Sequence, residues 1–143
     1  MSTAPSAPSD SALMVWTRYA LIAVAWLFAV GGIIQVFLAG LSVFDSAKYW
    51  NDHADFGQMI GLLTYVLPIL ALFGRVGSRL IGQAFVVTIL FILQMILANV
   101  DDGRVAALHA VNAFLLIGAS GSLGGAVLEL VRSNNRAEAK SAT

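Results

Sequence analysis

The sequence predicts an all-α integral membrane protein: an up-down-up-down bundle of four transmembrane helices with both termini cytoplasmic. Three observations predict it. Hydrophobic residues make up 59% of the 143-residue chain and charged residues 11%, with a mean hydropathy of +0.84, whereas a soluble domain carries about 25% charged residues. Four apolar runs each reach the roughly 20 residues that a bilayer crossing needs. The connections Gly74 to Arg79 and Asn99 to Arg104 are short, which forces antiparallel neighbours, and a longer polar link from Asp45 to Asp52 joins the first two helices.

Residues 1–12 are Ser, Ala and Pro with a single Asp10; they lack the apolar content to bury anything and are expected to be a disordered N-terminal tail. The transmembrane domain then covers residues 13–131. Its first span runs from Leu13 to Phe44, interrupted only by Arg18, whose long stem is expected to snorkel to the headgroups. The run is too long for a signal-peptide core and reads as an uncleaved helix. The second span, His53 to Phe73, carries Pro68 near its inner end as a kink that neighbouring helices must accommodate. The third span is Leu80 to Ala98. The fourth, Val105 to Val131, is long for a perpendicular crossing and is expected to tilt or protrude. Residues 132–143 form a polar cytoplasmic C-terminal tail.

Charge sets the orientation. Arg18, Arg75, Arg79, Arg132, Arg136 and Lys140 gather on one side under this topology, and Lys48 and Arg104 fall on the other with Asp45, Asp52, Asp55, Asp101 and Asp102. Cytoplasmic loops retain Lys and Arg, so the acidic rim faces outward and the expected location is the bacterial inner membrane. Tyr49 and Trp50 suit the outer interface, Trp16 and Tyr19 the inner one.

Composition also excludes. The chain has no cysteine, hence no disulfide framework, thiolate metal site or covalent haem attachment. Zero formal net charge and the lack of a basic stripe with interleaved aromatics argue against nucleic acid as a partner. Ser120 and Ser122 lie more than two turns deeper than His109, so no nucleophile–base arrangement is visible. Gly118, Gly121, Gly124 and Gly125 read as a close helix contact rather than a nucleotide loop, because no Lys-Ser/Thr ending follows. Asp101-Asp102-Gly103 reads as an acidic turn capping the next helix. Gln35, Gln58, Gln83 and Gln94 are expected to hydrogen-bond between helices. A small transporter is disfavoured, since paired intramembrane charges and broken helices in repeated halves are missing. No reaction, and so no enzyme class, is assigned.

Two histidines remain, His53 and His109, opening the second and fourth spans. A titratable side chain at the hydrocarbon boundary is costly and suggests a functional site. Both helices start at the outer face, so the two imidazoles share a depth and can share a ligand. Gly57 and Gly61 follow His53 at four-residue intervals on one helix face, where a flat ligand can approach the backbone. Asn112 and Ala113 lie one turn below His109. Haem iron takes axial imidazoles from facing helices of a bundle, so one bis-histidine haem b per chain is expected, lined by Phe56, Ile60, Phe114 and Leu116. An imidazole could be oriented through its other ring nitrogen by a carbonyl, an aspartate or Asn112. Two other readings use the same layer: a copper or zinc site adding Gln94, Met95 and the aspartates, and a haem-free accessory subunit in which the histidines only hydrogen-bond loop carbonyls.

The stretches Asp52-His53-Ala54-Asp55-Phe56-Gly57 and Leu108-His109-Ala110-Val111-Asn112-Ala113-Phe114 resemble one half of haem A synthase, over roughly Leu13 to Val131. The chain is also similar to a family of small uncharacterised bacterial membrane proteins, in which Phe37-Leu38-Ala39-Gly40-Leu41 precedes the same two histidine segments. The first resemblance implies a half-sized, cytochrome b-like haem-binding bundle with histidines on its second and fourth helices. It does not carry over the synthase reaction: only Asp52 or Asp55 could stand in for the acidic catalytic residue, and the outer-loop cysteines are missing. Electron transfer or haem handling is the expected role. One haem near one surface cannot relay electrons across the bilayer, so a quinone, other membrane protein subunits of a respiratory complex, or a second copy in a homo-oligomer are the expected partners.

Overall fold

The computed structural model describes residues 11–141. Most of the expected N-terminal tail, residues 1–10, and the last two residues of the C-terminal tail lie outside the described residues. The described chain is helical throughout: α1 (Ala12–Phe44), α2 (Tyr49–Phe73), α3 (Ser78–Ala98), a single turn α4 (Gly103–Ala106) and α5 (Leu108–Ser141). Ser11 caps α1 by accepting from the Met14 N–H, and Asp102 caps α4 by accepting from the N–H groups of Arg104 and Val105, each satisfying amides that have no helical partner.

Apart from shifts of a residue or two, the structure differs from the sequence reading in splitting the fourth span into α4 and α5 around Ala107 and at two boundaries. Helix α2 begins at Tyr49 rather than His53, so the histidine sits one turn inside the helix with Trp50 packed edge-on against its ring. Helix α5 continues without a break past Val131 to Ser141. Its final residues, Arg136-Ala137-Glu138-Ala139-Lys140, are strong helix formers that need no membrane to stay wound, and Lys140 in the last turn suits the negative end of the helix.

Helices α1 and α2, α2 and α3, α3 and α5, and α5 and α1 pack as neighbours, closing a ring in which α2 and α5 face each other across the middle. Each neighbouring pair is antiparallel. Large apolar side chains cover the outside, among them Leu27, Ile33, Phe37, Leu62, Ile89 and Leu115. An apolar surface this continuous marks contact with something other than water, and among the described residues four helices are long and apolar enough to cross a membrane.

Lipid gives no hydrophobic drive for helices to associate, so small residues and polar clasps must hold the ring together. The ring of Phe91 fills the space a side chain would need at Gly61, and Ile117 does the same at Gly32; the Trp26 indole lies over Gly124. Pro68 lacks the N–H that would have served the Thr64 carbonyl. The Thr88 hydroxyl donates to that carbonyl from α3 at 2.7 Å, which is how a neighbouring helix accommodates an intramembrane proline. On the opposite side Ser120 donates to the Ala25 carbonyl at 2.9 Å. Arg18 does not reach outward: it is 7% exposed, and its Nε donates to the Gly74 carbonyl at the end of α2 at 2.8 Å. A carbonyl left over at a helix terminus is a ready acceptor for a basic side chain.

Candidate functional site

Near one end of the ring, a cavity of about 620 Å³ opens between all four long helices, within the range of small-molecule sites. His53 and His109 line it from α2 and α5 with ring centres 6.2 Å apart and planes tilted by 59°. The two residues that the sequence put at one depth are therefore brought together across the bundle.

Each imidazole is held by a glutamine on the preceding long helix. Nδ1 of His53 lies 3.1 Å from the main-chain oxygen of Gln35, and Nδ1 of His109 lies 3.1 Å from that of Gln94. A carbonyl oxygen can only accept, so each neutral ring carries its proton on Nδ1 and its lone pair on Nε2. Fixing one ring nitrogen on a carbonyl is the usual way a protein aims the other at a ligand.

The glutamine side chains then diverge. Gln35 turns back and donates to the main-chain oxygen of His53 at 2.8 Å, passing over Gly57, where a Cβ would collide with its amide nitrogen. Gln94 points inward, its amide nitrogen 3.0 Å from His109 Nε2. Asn112, 4% exposed, donates to Gln94 Oε1 at 2.6 Å and to the Leu90 carbonyl at 2.9 Å. Among the described residues two buried oxygens, Gln35 Oε1 and Asn112 Oδ1, have no protein partner; Gln35 lines the cavity, where such a group asks for a water or a ligand.

The remaining candidates separate. Ala113, Ile60, Phe114, Leu116 and Met95 line the cavity with Gly57. Gly61 does not cradle a flat ligand, because Phe91 already occupies that space, and the room at Gly57 is used by Gln35. Phe56 is turned to a separate groove against Ile34 and Leu38 of α1. Asn112 stands behind Gln94 rather than on the cavity wall. The aspartates do not join the histidines: among the described residues no group of three or more His, Cys, Asp or Glu could hold a metal ion. Gln83 bonds across helices to the Ala119 carbonyl, as expected of a polar residue in a span.

Gln35 and Gln94 as histidine partners escaped the sequence reading, and a signal for them exists. Gln35-Val-Phe-Leu38-Ala39 and Gln94-Met-Ile-Leu97-Ala98 repeat one pattern, and each is followed by His-Ala with a small residue four positions after the histidine, Gly57 or Ala113. The bundle is two such helix pairs, α1–α2 and α3–α5, meeting at the histidines.

A family model described as a family of unknown function, DUF6220, matches residues 35–101. That stretch holds Gln35, His53 and Gln94 and stops before His109. No curated protein and no solved structure matches the chain. Over those residues the chain is similar to this family, and its four apolar helices are consistent with a small multi-pass membrane protein.

Proposed function

We propose that the protein is a cytochrome b-like membrane subunit in which His53 and His109 hold one haem b, serving electron transfer or haem handling. The observation that carries this reading is the imidazole pair across the cavity. Metal–imidazole bonds of about 2 Å, plus about 1 Å from nitrogen to ring centre, set the ring centres of a bis-imidazole complex roughly 6 Å apart. The observed 6.2 Å agrees, and both Nδ1 atoms are already tied to carbonyls, leaving Nε2 as the donor on each ring. Ile60, Phe114 and Leu116 give the same space mostly apolar walls. The Gln94 amide, 3.0 Å from His109 Nε2, must turn aside.

Haem held this way supplies one-electron chemistry. The chain's own residues orient the two donors, line the space with apolar groups and set Trp50 edge-on to His53. The basic residues at the other end of the ring support cytoplasmic termini, an up-down-up-down crossing and a bacterial inner-membrane location. With one site near one surface, the donor or acceptor is a quinone, a partner subunit or a second copy.

The haem-free accessory subunit is the second reading, favoured by the Gln94 amide resting on His109 Nε2. The absorption spectrum of protein purified from cells with ample haem separates the two. A Soret band with sharp visible bands on reduction, abolished or shifted in both His53→Ala and His109→Ala, supports the haem reading. Colourless protein supports the accessory subunit.

A further inference from the structure

The two histidines are not equivalent, and the reason lies in two positions where the repeated halves differ. Four residues after His53 stands Gly57; four after His109 stands Ala113. Without a Cβ at 57, the Gln35 amide can lie against α2 and bond the His53 main-chain oxygen, out of the way of the ring. Ala113 carries a methyl group where Gly57 has none. Three residues after each histidine the halves differ again, Phe56 against Asn112. Phe56 offers nothing to a glutamine, whereas Asn112, anchored on the Leu90 carbonyl, grips Gln94 Oε1 and holds the amide nitrogen over His109 Nε2.

We propose that Gln94, held by Asn112 and denied its alternative seat by Ala113, is a latch on His109, so that His53 is the imidazole open to an incoming ligand and His109 joins only when the latch releases. Among the described residues no protein group bonds His53 Nε2, while His109 Nε2 is capped at 3.0 Å. The latch is a positioning group; it acts through His109 and alters when that nitrogen is available. It deepens the haem reading by giving the two donors an order, but the capped and open nitrogens do not depend on haem.

The test is therefore made on haem-free protein. Diethyl pyrocarbonate acylates an imidazole nitrogen that offers its lone pair, and mass spectrometry of the full-length protein in detergent reads each histidine separately. One net hydrogen bond corresponds to about three- to tenfold in availability, so His53 is expected to react faster than His109 by about that factor. Gln94→Ala keeps the main-chain oxygen that orients His109 and removes the cap, and it should bring the two rates together. Ala113→Gly should do the same with the glutamine intact, by opening the seat Gln35 uses in the other half. In both variants the His53 rate is the internal reference: unchanged, it reports an intact bundle. Gly57→Ala should have the mirror effect, displacing the Gln35 amide and slowing His53.

Equal rates in the wild-type protein would overturn the proposal, as would a difference that survives both Gln94→Ala and Ala113→Gly, since accessibility alone would then explain it. Haemin titration of the same variants keeps the two ideas apart. Tighter binding in Gln94→Ala by about the same factor supports the latch, and unchanged binding with equal labelling overturns it while leaving the haem reading standing. Labelling that follows the latch in a protein that takes up no haemin overturns the haem reading alone.

Discussion

The helix pairs α1–α2 and α3–α5 share a frame and differ in what fills it. In both, a glutamine ten or fewer residues from the end of one helix presents its carbonyl to a histidine on the next. Three residues before the glutamine and eight after the histidine the halves exchange large for small. Phe91 of α3 enters the gap at Gly61 of α2, while at the matching contact Ile117 of α5 enters the gap at Gly32 of α1. The same contact is made twice with knob and hole reversed. The polar clasps differ in the same spirit. Thr88 serves the carbonyl freed by Pro68 between α2 and α3, and Ser120 serves an ordinary helix carbonyl between α5 and α1.

The strongest way to break this comparison is to fill its holes. Gly61→Leu and Gly32→Leu are each expected to lower stability by about 1–3 kcal/mol, the usual cost of overpacking, measured by unfolding in mixed micelles. Gly40→Ala is the control. Nothing stands within 4 Å of a Cβ at 40, so this change should be neutral or stabilise by up to about 1 kcal/mol through helix propensity. A harmless Gly61→Leu would mean the Phe91 ring has room elsewhere and the knob-and-hole exchange is incidental.

A smaller effect sharpens it. Thr88→Val and Ser120→Ala each remove one interhelical hydrogen bond, which inside a membrane is worth about 0.6 kcal/mol on average. Because the clasps sit on opposite interfaces, the double variant should lose the sum. Thr88→Val should cost more than Ser120→Ala, since it leaves the Thr64 carbonyl without any donor. Pro68→Ala should reduce that cost by restoring the helix's own N–H.

Much of this was legible in the sequence because hydropathy, span length and loop length each constrain a helical membrane protein separately. The depth of the histidines followed from their place at the starts of two antiparallel spans. What a glycine admits was not legible: Gly57 and Gly61 read as room for a ligand, yet the neighbours that use the room, Gln35 and Phe91, belong to other helices and depend on how the helices rotate. The place of Arg18 was not legible for a similar reason, since its partner, the Gly74 carbonyl, lies 56 residues away. The glutamines were the avoidable omission. Their repeated Gln-x-x-Leu-Ala setting was on view in the sequence, and reading it would have named the groups that aim both rings.

The proposed function requires above all that the two imidazoles share one ligand. Haemin titration of the detergent-solubilised protein, followed by absorption and by electron paramagnetic resonance, tests that most directly. The expected result is saturation at one haem per chain with the low-spin ferric signal of two nitrogen axial ligands, converted to high spin or lost in both His53→Ala and His109→Ala. No saturable uptake, or a low-spin signal that persists when either histidine is removed, would contradict it.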